Sequence, residues 1–171
     1  MSAIEGFAPI VSDNASLLIV GSMPSEASLL KQQYYGHPRN AFWPIMIALL
    51  GVEPGLCYRR RKEMLMENGV AVWDVLQSCH RLGSADSNIK WETIKTNDFA
   101  AFFAGHTGIG QVFFNGGMAE KLYRKRVLPT LNEDSSYLGY RRLPSTSPAY
   151  ASLNLEQKME AWKVITLYMV K

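Results

Sequence analysis

Short apolar runs alternate with segments of helical spacing along this chain, and each run ends in a loop of small or polar residues. The runs are continuous rather than alternating, which is typical of strands buried on both faces in a parallel sheet. The intervening segments carry apolar residues three or four positions apart, as amphipathic helices do. The pattern therefore predicts an α/β protein with helices on both faces of a parallel sheet.

The expected strands and helices follow one another in a definite order. The pattern predicts strands at residues 17–20, 70–76, 111–114 and 140–143, and helices at 41–50, 57–68, 91–105 and 118–127. Pro44 is expected in the first turn of its helix, where a missing N–H costs nothing. Asn154 and Gln157 predict a capping box for a last helix. The apolar face of that helix would consist of Leu155, Met159, Trp162, Ile165 and Met169.

Composition limits the class of protein. The 171 residues are 47% hydrophobic and 19% charged, which suits a single globular domain spanning residues 1–171. No apolar run reaches membrane-spanning length and the N-terminus has no secretory signal, so we expect a cytoplasmic protein that does not bind a membrane. The two cysteines and three scattered histidines predict neither a disulfide framework nor a metal site. We expect a monomer without a cofactor.

The net charge is +3 and the sequence pI is about 8.9. A mildly basic chain permits a nucleic-acid partner without requiring one. The basic residues cluster, and the pair Arg141–Arg142 lies just before the polar loop that follows the last predicted strand. A basic cluster of this kind is more often a solvated face than a phosphate site, so charge alone does not decide between them.

The ends of the predicted strands carry the motifs GSMPS, WD, NGG and PSTSP. In an open parallel sheet the binding crevice lies beyond the carboxyl ends of the strands, so we expect these motifs to converge there with YYGHPRNAFWPIM, residues 34–46. They would bring together hydroxyls, amides, one carboxylate and aromatic rings: Ser22, Ser25, Ser145, Thr146, Ser147, Asn40, Asn115, Asp74, Tyr34, Tyr35, Phe42 and Trp43. Aromatic faces stack on bases, amides pair with base edges and hydroxyls hold phosphates. The set predicts a nucleobase or nucleotide ligand.

Several of these residues also have a purely structural explanation. Core packing at a helix start is the favoured role for Trp43, whereas its polar surroundings favour ligand stacking for Phe42. Asp74 could either cap the next turn or contact a base, and the sequence leaves both open. Ser145 and Ser147 could be turn residues between prolines.

Five motifs in order resemble the uracil-DNA glycosylase superfamily: GSMPS, YYGHPRNAFWP, GVAVWDVLQSC with GSADSNIK, VFFNGG, and LPSTSPA. The resemblance runs from about Leu17 to Tyr168. Within the superfamily the motifs most resemble the DNA-deoxyinosine (hypoxanthine-DNA) glycosylases, which are related to the mismatch-specific uracil/thymine branch. The resemblance implies a three-layer α/β/α fold around a four-stranded, mainly parallel sheet. It also implies a monofunctional enzyme that flips a deaminated base out of DNA and hydrolyses its N-glycosidic bond.

The resemblance also implies roles for individual residues. Asn40 would be the catalytic residue, orienting water or binding the base. The implied base-binding residues are Ser22, Met23, Phe42, Asp74, Asn115 and Ser145, with Phe42 stacking on the flipped base. The implied DNA-binding residues are Pro24, Ser25, Arg142, Thr146, Ser147 and Tyr150. Tyr150 is the candidate wedge that fills the vacated stack, because Ala149 at the aligned position is too small.

Two positions depart from the superfamily pattern. Met23 stands where several uracil branches have an Asp or Asn that positions water, and a thioether cannot accept a proton from water. Ser145 stands where the late loop usually presents His or Asn to the leaving base. Three alternatives therefore remain open: a uracil or mismatch glycosylase of the same fold, a nucleic-acid or nucleotide binding module without catalysis, and a small-molecule hydrolase on a similar scaffold.

Overall fold

A computed structural model describes residues 2–170. Within these residues the strands, in chain order, are β1 (Ile4–Glu5), β2 (Leu17–Gly21), β3 (Val70–Asp74), β4 (Leu76–Cys79), β5 (Lys95–Thr96), β6 (Gln111–Asn115) and β7 (Gly139–Leu143). The α-helices are α1 (Glu26–Lys31), α2 (Phe42–Leu50), α3 (Tyr58–Glu67), α4 (Phe99–Gly105), α5 (Gly117–Leu122) and α6 (Leu155–Trp162).

The central sheet has the strand order β3-β2-β6-β7, and each neighbouring pair is parallel. Residues of β2 alternate between two hydrophobic cores, because successive side chains of a strand point to opposite faces. Leu18 and Val20 pack in the core that contains α4 and α5, whereas Leu17 and Ile19 pack in the core that contains α2, α3 and α6. The three-layer α/β/α fold is confirmed, and its four-stranded sheet is entirely parallel.

Most predicted elements are confirmed, with small shifts at their ends. Pro44 lies in the first turn of α2, as expected. The capping box of α6 is formed, since the Asn154 side chain accepts from the Gln157 N–H at 2.9 Å and the Gln157 side chain accepts from the Asn154 N–H at 2.9 Å. The predicted apolar face of this helix is wrong at Leu155, which is 45% exposed at its first position, while Trp162 and Ile165 are buried. The helix expected at 118–127 is present as α5 followed by a π-helical turn, Tyr123–Val127.

Two predicted elements are shorter than expected. The helix expected at 91–105 begins only at Phe99, where the Asp98 side chain accepts from the Ala101 N–H at 3.0 Å. The strand expected at 70–76 ends at Asp74, where its parallel pairing with β2 ends at Gly21. The chain then enters a small antiparallel sheet, β1-β4-β5, that the apolar pattern did not predict.

In residues 2–170, no helix is both long enough and apolar enough to cross a membrane.

Gly69 offers a test of how tightly the chain packs where α3 turns into β3. Its φ is +72°, and a Cβ would lie 2.9 Å from Ser16 Oγ and 3.0 Å from the Val170 side chain. Gly51 has a similar φ of +62°, but a Cβ there would meet nothing within 4 Å. We expect Gly51→Ala to cost about 1 kcal/mol of unfolding free energy through backbone strain, and Gly69→Ala to cost about 2 kcal/mol or more because it adds a steric clash. Urea unfolding of both variants checks this, and equal losses would contradict it.

Candidate active site

The site lies where the sheet order changes direction. The chain passes from β2 to β3 on one side of β2 and later adds β6 on the other side. In open α/β sheets, ligands bind beyond the carboxyl ends of the strands at such a point. A cavity of about 120 Å³ opens there. It is lined by Gly21, Ser22, Met23, Pro24, Ser25, Ser28, Tyr34, Tyr35, Asn40, Asp74, Ser84, Asp86, Asn115, Ser145, Thr146 and Ser147. Because pockets for drug-sized ligands measure roughly 300–1,000 Å³, this one suits a single small ring system.

The floor of the cavity is formed by Gly21, Asp74 and Tyr35. A Cβ on Gly21 would lie 2.3 Å from Asp74 Oδ1 and 3.3 Å from the Tyr35 hydroxyl, so only glycine leaves room for these two side chains. Asp74 Oδ2 and the Tyr35 hydroxyl are buried and have no hydrogen-bond partner among the described residues. Buried polar atoms are almost always paired, so these two atoms mark a place for a ligand or water.

Burial determines the protonation of both floor groups. Burial, reinforced by the negative charge of Asp86 and opposed by Arg81, raises the pKa of Asp74 to about 7. Burial, followed by the charge of Asp74, also raises the pKa of Tyr35, and the neighbouring Asn115 side chain opposes the rise. The Tyr35 hydroxyl therefore keeps its proton, and the Asp74 carboxyl is neutral below about pH 7.

Tyr35, and not Phe42, is the aromatic residue on the floor. The expectation that Phe42 stacks on a base is wrong, because Phe42 is fully buried and does not line the cavity. The Tyr35 ring stacks on it with centroids 4.0 Å apart, and Trp43 and Trp162 pack edge-on against it. Trp43 is a core residue, as expected. Tyr35 has a φ of +54°, an uncommon backbone conformation for a non-glycine residue, and such residues concentrate at functional sites.

Asn40 lines the cavity in a fixed orientation. Its Oδ1 accepts a hydrogen bond of 2.9 Å from the Phe42 N–H at the start of α2. The Nδ2 group makes no hydrogen bond within the described part of the chain, so it is available to donate. The side chain is therefore held as a donor toward the cavity, next to the buried floor.

A cluster of three residues joins the loop after β2 to the loop after β4. The Ser22 hydroxyl donates to both carboxylate oxygens of Asp86 at 2.9 Å, and Arg81 Nη1 lies 3.9 Å from Asp86 Oδ1. The buried Arg81 side chain also donates to the Pro24 and Gly83 carbonyls. Burial raises the pKa of Asp86, while Ser22 and Arg81 oppose that shift.

Sequence reasoning gave Asp86 and Arg81 no role. The GSADSN segment follows no strand of the central sheet, so the rule about strand ends does not point to it. The small antiparallel sheet brings it over the cavity. In the sequence, this segment was marked only by its place in the motif GSADSNIK, which carries part of the resemblance.

Asn115 and Thr146 connect three loops. Asn115 Oδ1 accepts from the Thr146 N–H at 2.9 Å, its Nδ2 donates to the Thr146 hydroxyl at 3.0 Å, and the Thr146 carbonyl accepts from the Ala41 N–H at 2.9 Å. The expectation that Thr146 contacts DNA is wrong, because its side chain is buried and its hydroxyl is already bonded to Asn115. Asn115 lines the cavity, but both ends of its amide are engaged in holding Thr146.

The other predicted loop residues lie on the wall or rim of the cavity. Ser22, Met23, Pro24, Ser25, Ser145 and Ser147 all line it, and Met23 and Pro24 are buried. Ser25 caps α1 by accepting from the Ser28 N–H at 3.2 Å. The Ser145 and Ser147 hydroxyls accept from the N–H groups two residues later, at 3.2 Å in each case. Their O–H protons are still free to donate.

Arg142 and Tyr150 lie outside the cavity in an adjoining groove that Ser145 also borders. Arg142 is exposed, and its Nε lies 3.3 Å from Glu120 Oε2. Tyr150 is 41% exposed, and the ammonium group of Lys158 lies 5.4 Å from the centroid of its ring. Lys158, which sequence reasoning also missed, is buried and donates to the Ser147 carbonyl at 3.2 Å.

Among the described residues, no group of three His, Cys, Asp or Glu side chains could hold a metal ion.

Comparisons with known proteins give consistent results. The sequence profile of the Uracil DNA glycosylase superfamily matches residues 8–168. A Hypoxanthine DNA glycosylase of Methanosarcina barkeri is 37% identical over 113 residues, covering 66% of this chain and 70% of the relative. A Hypoxanthine DNA glycosylase of Methanosarcina acetivorans is 36% identical over 135 residues, covering 74% and 84%. An NMR structure of a Methanosarcina acetivorans protein, provisionally assigned as a uracil DNA glycosylase, has a TM-score of 0.77 and 31% identity and covers 97% of this chain and 99% of its own.

The raised pKa of Asp74 makes stability depend on pH in a direction opposite to that of most carboxylates. Between its ordinary pKa and about 7, Asp74 binds more protons folded than unfolded, so its contribution to unfolding free energy is lost as pH rises through this window. Asp74→Asn removes this loss. We take the unfolding free energy of Asp74→Asn minus that of the native protein. We expect this difference to be about 2 kcal/mol larger near pH 8 than near pH 5.

Urea unfolding at both pH values measures this difference. Asp13→Asn, at an exposed aspartate, is the matched control and should show no comparable difference. Equal pH responses of the two variants would contradict the burial of a titrating Asp74.

Proposed function

The chain belongs to the uracil DNA glycosylase superfamily, and we propose that this DNA glycosylase removes hypoxanthine from deoxyinosine in DNA. One observation carries the proposal: a cavity of about 120 Å³ at the carboxyl ends of the strands has unpartnered polar atoms of Tyr35 and Asp74 on its floor. Relatives that are 36 and 37% identical and are named Hypoxanthine DNA glycosylase support this choice of base.

The small, walled cavity supports base flipping. A base stacked inside a duplex cannot reach the floor beneath the loops, so the nucleotide has to be extruded before its base can bind. Extrusion costs a few kcal/mol, less for a mismatched base, and the contacts in the cavity offset that cost.

The floor suits the edge that deamination creates. Deamination of adenine replaces the N6 donor with the O6 acceptor and leaves an N1–H donor. The Tyr35 hydroxyl can donate to O6, and Asp74 can accept from N1–H or, when neutral, donate to O6. A neutral Asp74 also avoids repelling the negative charge that develops on the leaving base. This favours base contact over turn capping for Asp74, the two roles that the sequence left open.

Asn40 is the proposed catalytic residue. Because its Oδ1 is already bonded to the Phe42 N–H, it would act through its NH₂ group, donating to the attacking water or to the substrate. The start of α2 fixes this direction, so the amide needs little rearrangement when the substrate binds.

The rim residues would hold the DNA strand on either side of the flipped nucleotide. Ser25, Ser145 and Ser147 would donate to phosphates through their hydroxyls, and Arg142 would add a positive charge. Pro24 would help to shape the loop, and Thr146 would hold the rim in place without touching DNA itself. Tyr150 would be inserted into the duplex.

We also propose that the protein is a monomer that works in the cytoplasm. The exposed Cys57 and the buried Cys79 both carry free thiols, as in proteins of a reducing compartment.

A uracil glycosylase is the second candidate, and a specific feature of the floor favours it. The O4 and N3–H edge of uracil presents the same acceptor and donor as the O6 and N1–H edge of hypoxanthine. Hydrogen bonds to this edge therefore do not separate the two bases. Direct comparison of substrates does.

The test uses end-labelled duplexes that contain one hypoxanthine, uracil, xanthine or mismatched thymine, with alkali to cut abasic sites. We expect cleavage at hypoxanthine above uracil, and a loss of about 10²- to 10⁴-fold in Asn40→Ala. Asn40→Asp keeps the acceptor for Phe42 but lacks the NH₂ group, so it should also be slow. Preferred uracil cleavage would support the second candidate. Binding without cleavage of any substrate would support a catalytically silent module, and full turnover in Asn40→Ala would remove Asn40 from the mechanism.

Tyr150→Ala tests the wedge. We expect duplex cleavage to fall by about tenfold, the value of roughly one lost stacking contact, while single-stranded substrate is cleaved as before because it has no stack to fill. Tyr137→Ala, at another exposed tyrosine, is the control and should leave both rates unchanged. Unchanged duplex cleavage by Tyr150→Ala would show that Tyr150 is not the wedge.

A further inference from the structure

Hydrolysis of a glycosidic bond is accelerated by a group that accepts a proton from the attacking water and by a negative charge beside the sugar cation. Asn40 cannot accept that proton, because an amide is not a base and its oxygen is already bonded to the Phe42 N–H. Met23 offers only a thioether. Among the described residues that line the cavity, the groups able to accept the proton are the carboxylates of Asp74 and Asp86.

We propose that Asp86 is a second catalytic residue: the carboxylate that takes the proton of the attacking water and lies beside the sugar cation. This rests on the proposed glycosylase function. Nothing in the motif comparison assigns Asp86 a role, and it lies outside the strand ends that supply the other site residues.

The surroundings of the two carboxyl groups divide their roles. Asp74 is fully enclosed, and its Oδ2 has no partner among the described residues, which favours the proton-bearing form. Asp86 receives hydrogen bonds from Ser22 on both oxygens, has the Arg81 guanidinium 3.9 Å away, and keeps 34% of its side chain exposed. Burial raises the pKa of Asp86 too, but these contacts oppose that shift and favour the anion. When two nearby acids are held in different states, the neutral one suits the acid role and the charged one the base role.

Ser22 and Arg81 also fix the position of the anion. Ser22 follows directly after the floor residue Gly21, so its hydroxyl ties Asp86 to the end of a central strand. Arg81 donates to the Pro24 carbonyl and places its positive charge 3.9 Å from Asp86, so the charge attracts the carboxylate toward the loop after β2. The anion is thereby preorganised before the substrate enters.

The proposed step moves one proton from Asp74 to the purine and one from the attacking water to Asp86. The C1′–N9 bond breaks, its electron pair leaves with the purine, and the purine takes the proton of the neutral Asp74 carboxyl. The water oxygen bonds to C1′, and one water proton passes to Asp86. Between turnovers the proton on Asp86 is lost to solvent and Asp74 regains one. The net reaction consumes one water and needs no other reactant.

The first test is Asp86→Asn, which keeps the shape and the acceptor for Ser22 but removes the charge. We expect its single-turnover rate on a hypoxanthine duplex to fall by about 10²- to 10⁴-fold. Its dissociation constant for a duplex with an uncleavable deoxyinosine analogue should stay within about twofold of the native value. Its midpoint of thermal unfolding should stay within a few degrees of the native midpoint. Asp134→Asn, at an exposed aspartate distant in sequence from the site, is the control and should leave all three unchanged.

Formate rescue separates a catalytic carboxylate from a structural one. Asp86→Ala leaves a partly exposed gap where the carboxylate was. We expect added formate to raise the single-turnover rate of this variant at least tenfold, and acetate to raise it less because acetate is larger. Rescue would support the proposal even if Asp86→Asn unfolded. The proposal would be overturned if Asp86→Asn cleaved at the native single-turnover rate, or if it lost only its binding to the duplex. If the native protein cleaves no substrate, the glycosylase proposal itself fails, which is a distinguishable outcome.

Discussion

The pairing of Asn115 with Thr146 is the interaction on which the arrangement of the site depends. Two hydrogen bonds, of 2.9 and 3.0 Å, join the end of β6 to the loop after β7, and the Thr146 carbonyl receives the Ala41 N–H at the start of α2. Because Thr146 is buried, these bonds are shielded from water and losing one would leave a polar group unsatisfied. This link holds the backbone at Ala41, between Asn40 and the Phe42 N–H that orients the Asn40 amide.

The floor of the cavity has the opposite property, since its polar atoms are left without partners. The Tyr35 hydroxyl, Asp74 Oδ2 and Arg81 Nη1 are the buried side-chain atoms in the described residues that lack a hydrogen bond, and all three residues belong to this site or its support. Such atoms reduce stability, so the fold holds them at a cost that a bound base would offset. The same burial that leaves Asp74 unpaired raises its pKa to about 7, and below that pH the uncharged carboxyl can contact a leaving anion without repelling it.

The sequence predicted the central sheet better than its surroundings. Leu17–Gly21 is buried throughout, so its apolar run alone identified it. Asp74 and Asn115 were placed correctly at strand ends by the same rule. The antiparallel sheet was missed because β1 and β5 are only two residues long and carry no periodic signal. Phe42 was misassigned because spacing along the chain cannot tell which of two nearby aromatic rings covers the other, and Tyr35 lies over it.

The sequence by itself determined the fold class, the order of the sheet-forming segments and the four loops that meet at the site, because continuous apolar runs and polar strand ends are local properties. Tertiary structure alone decided which side chains reach the cavity. It buried Thr146 and Phe42, aimed the Asn40 amide and brought Asp86 to Ser22 across 64 residues of chain. Side-chain partners, burial and protonation all depend on contacts between distant segments, and no local pattern encodes the distance between them.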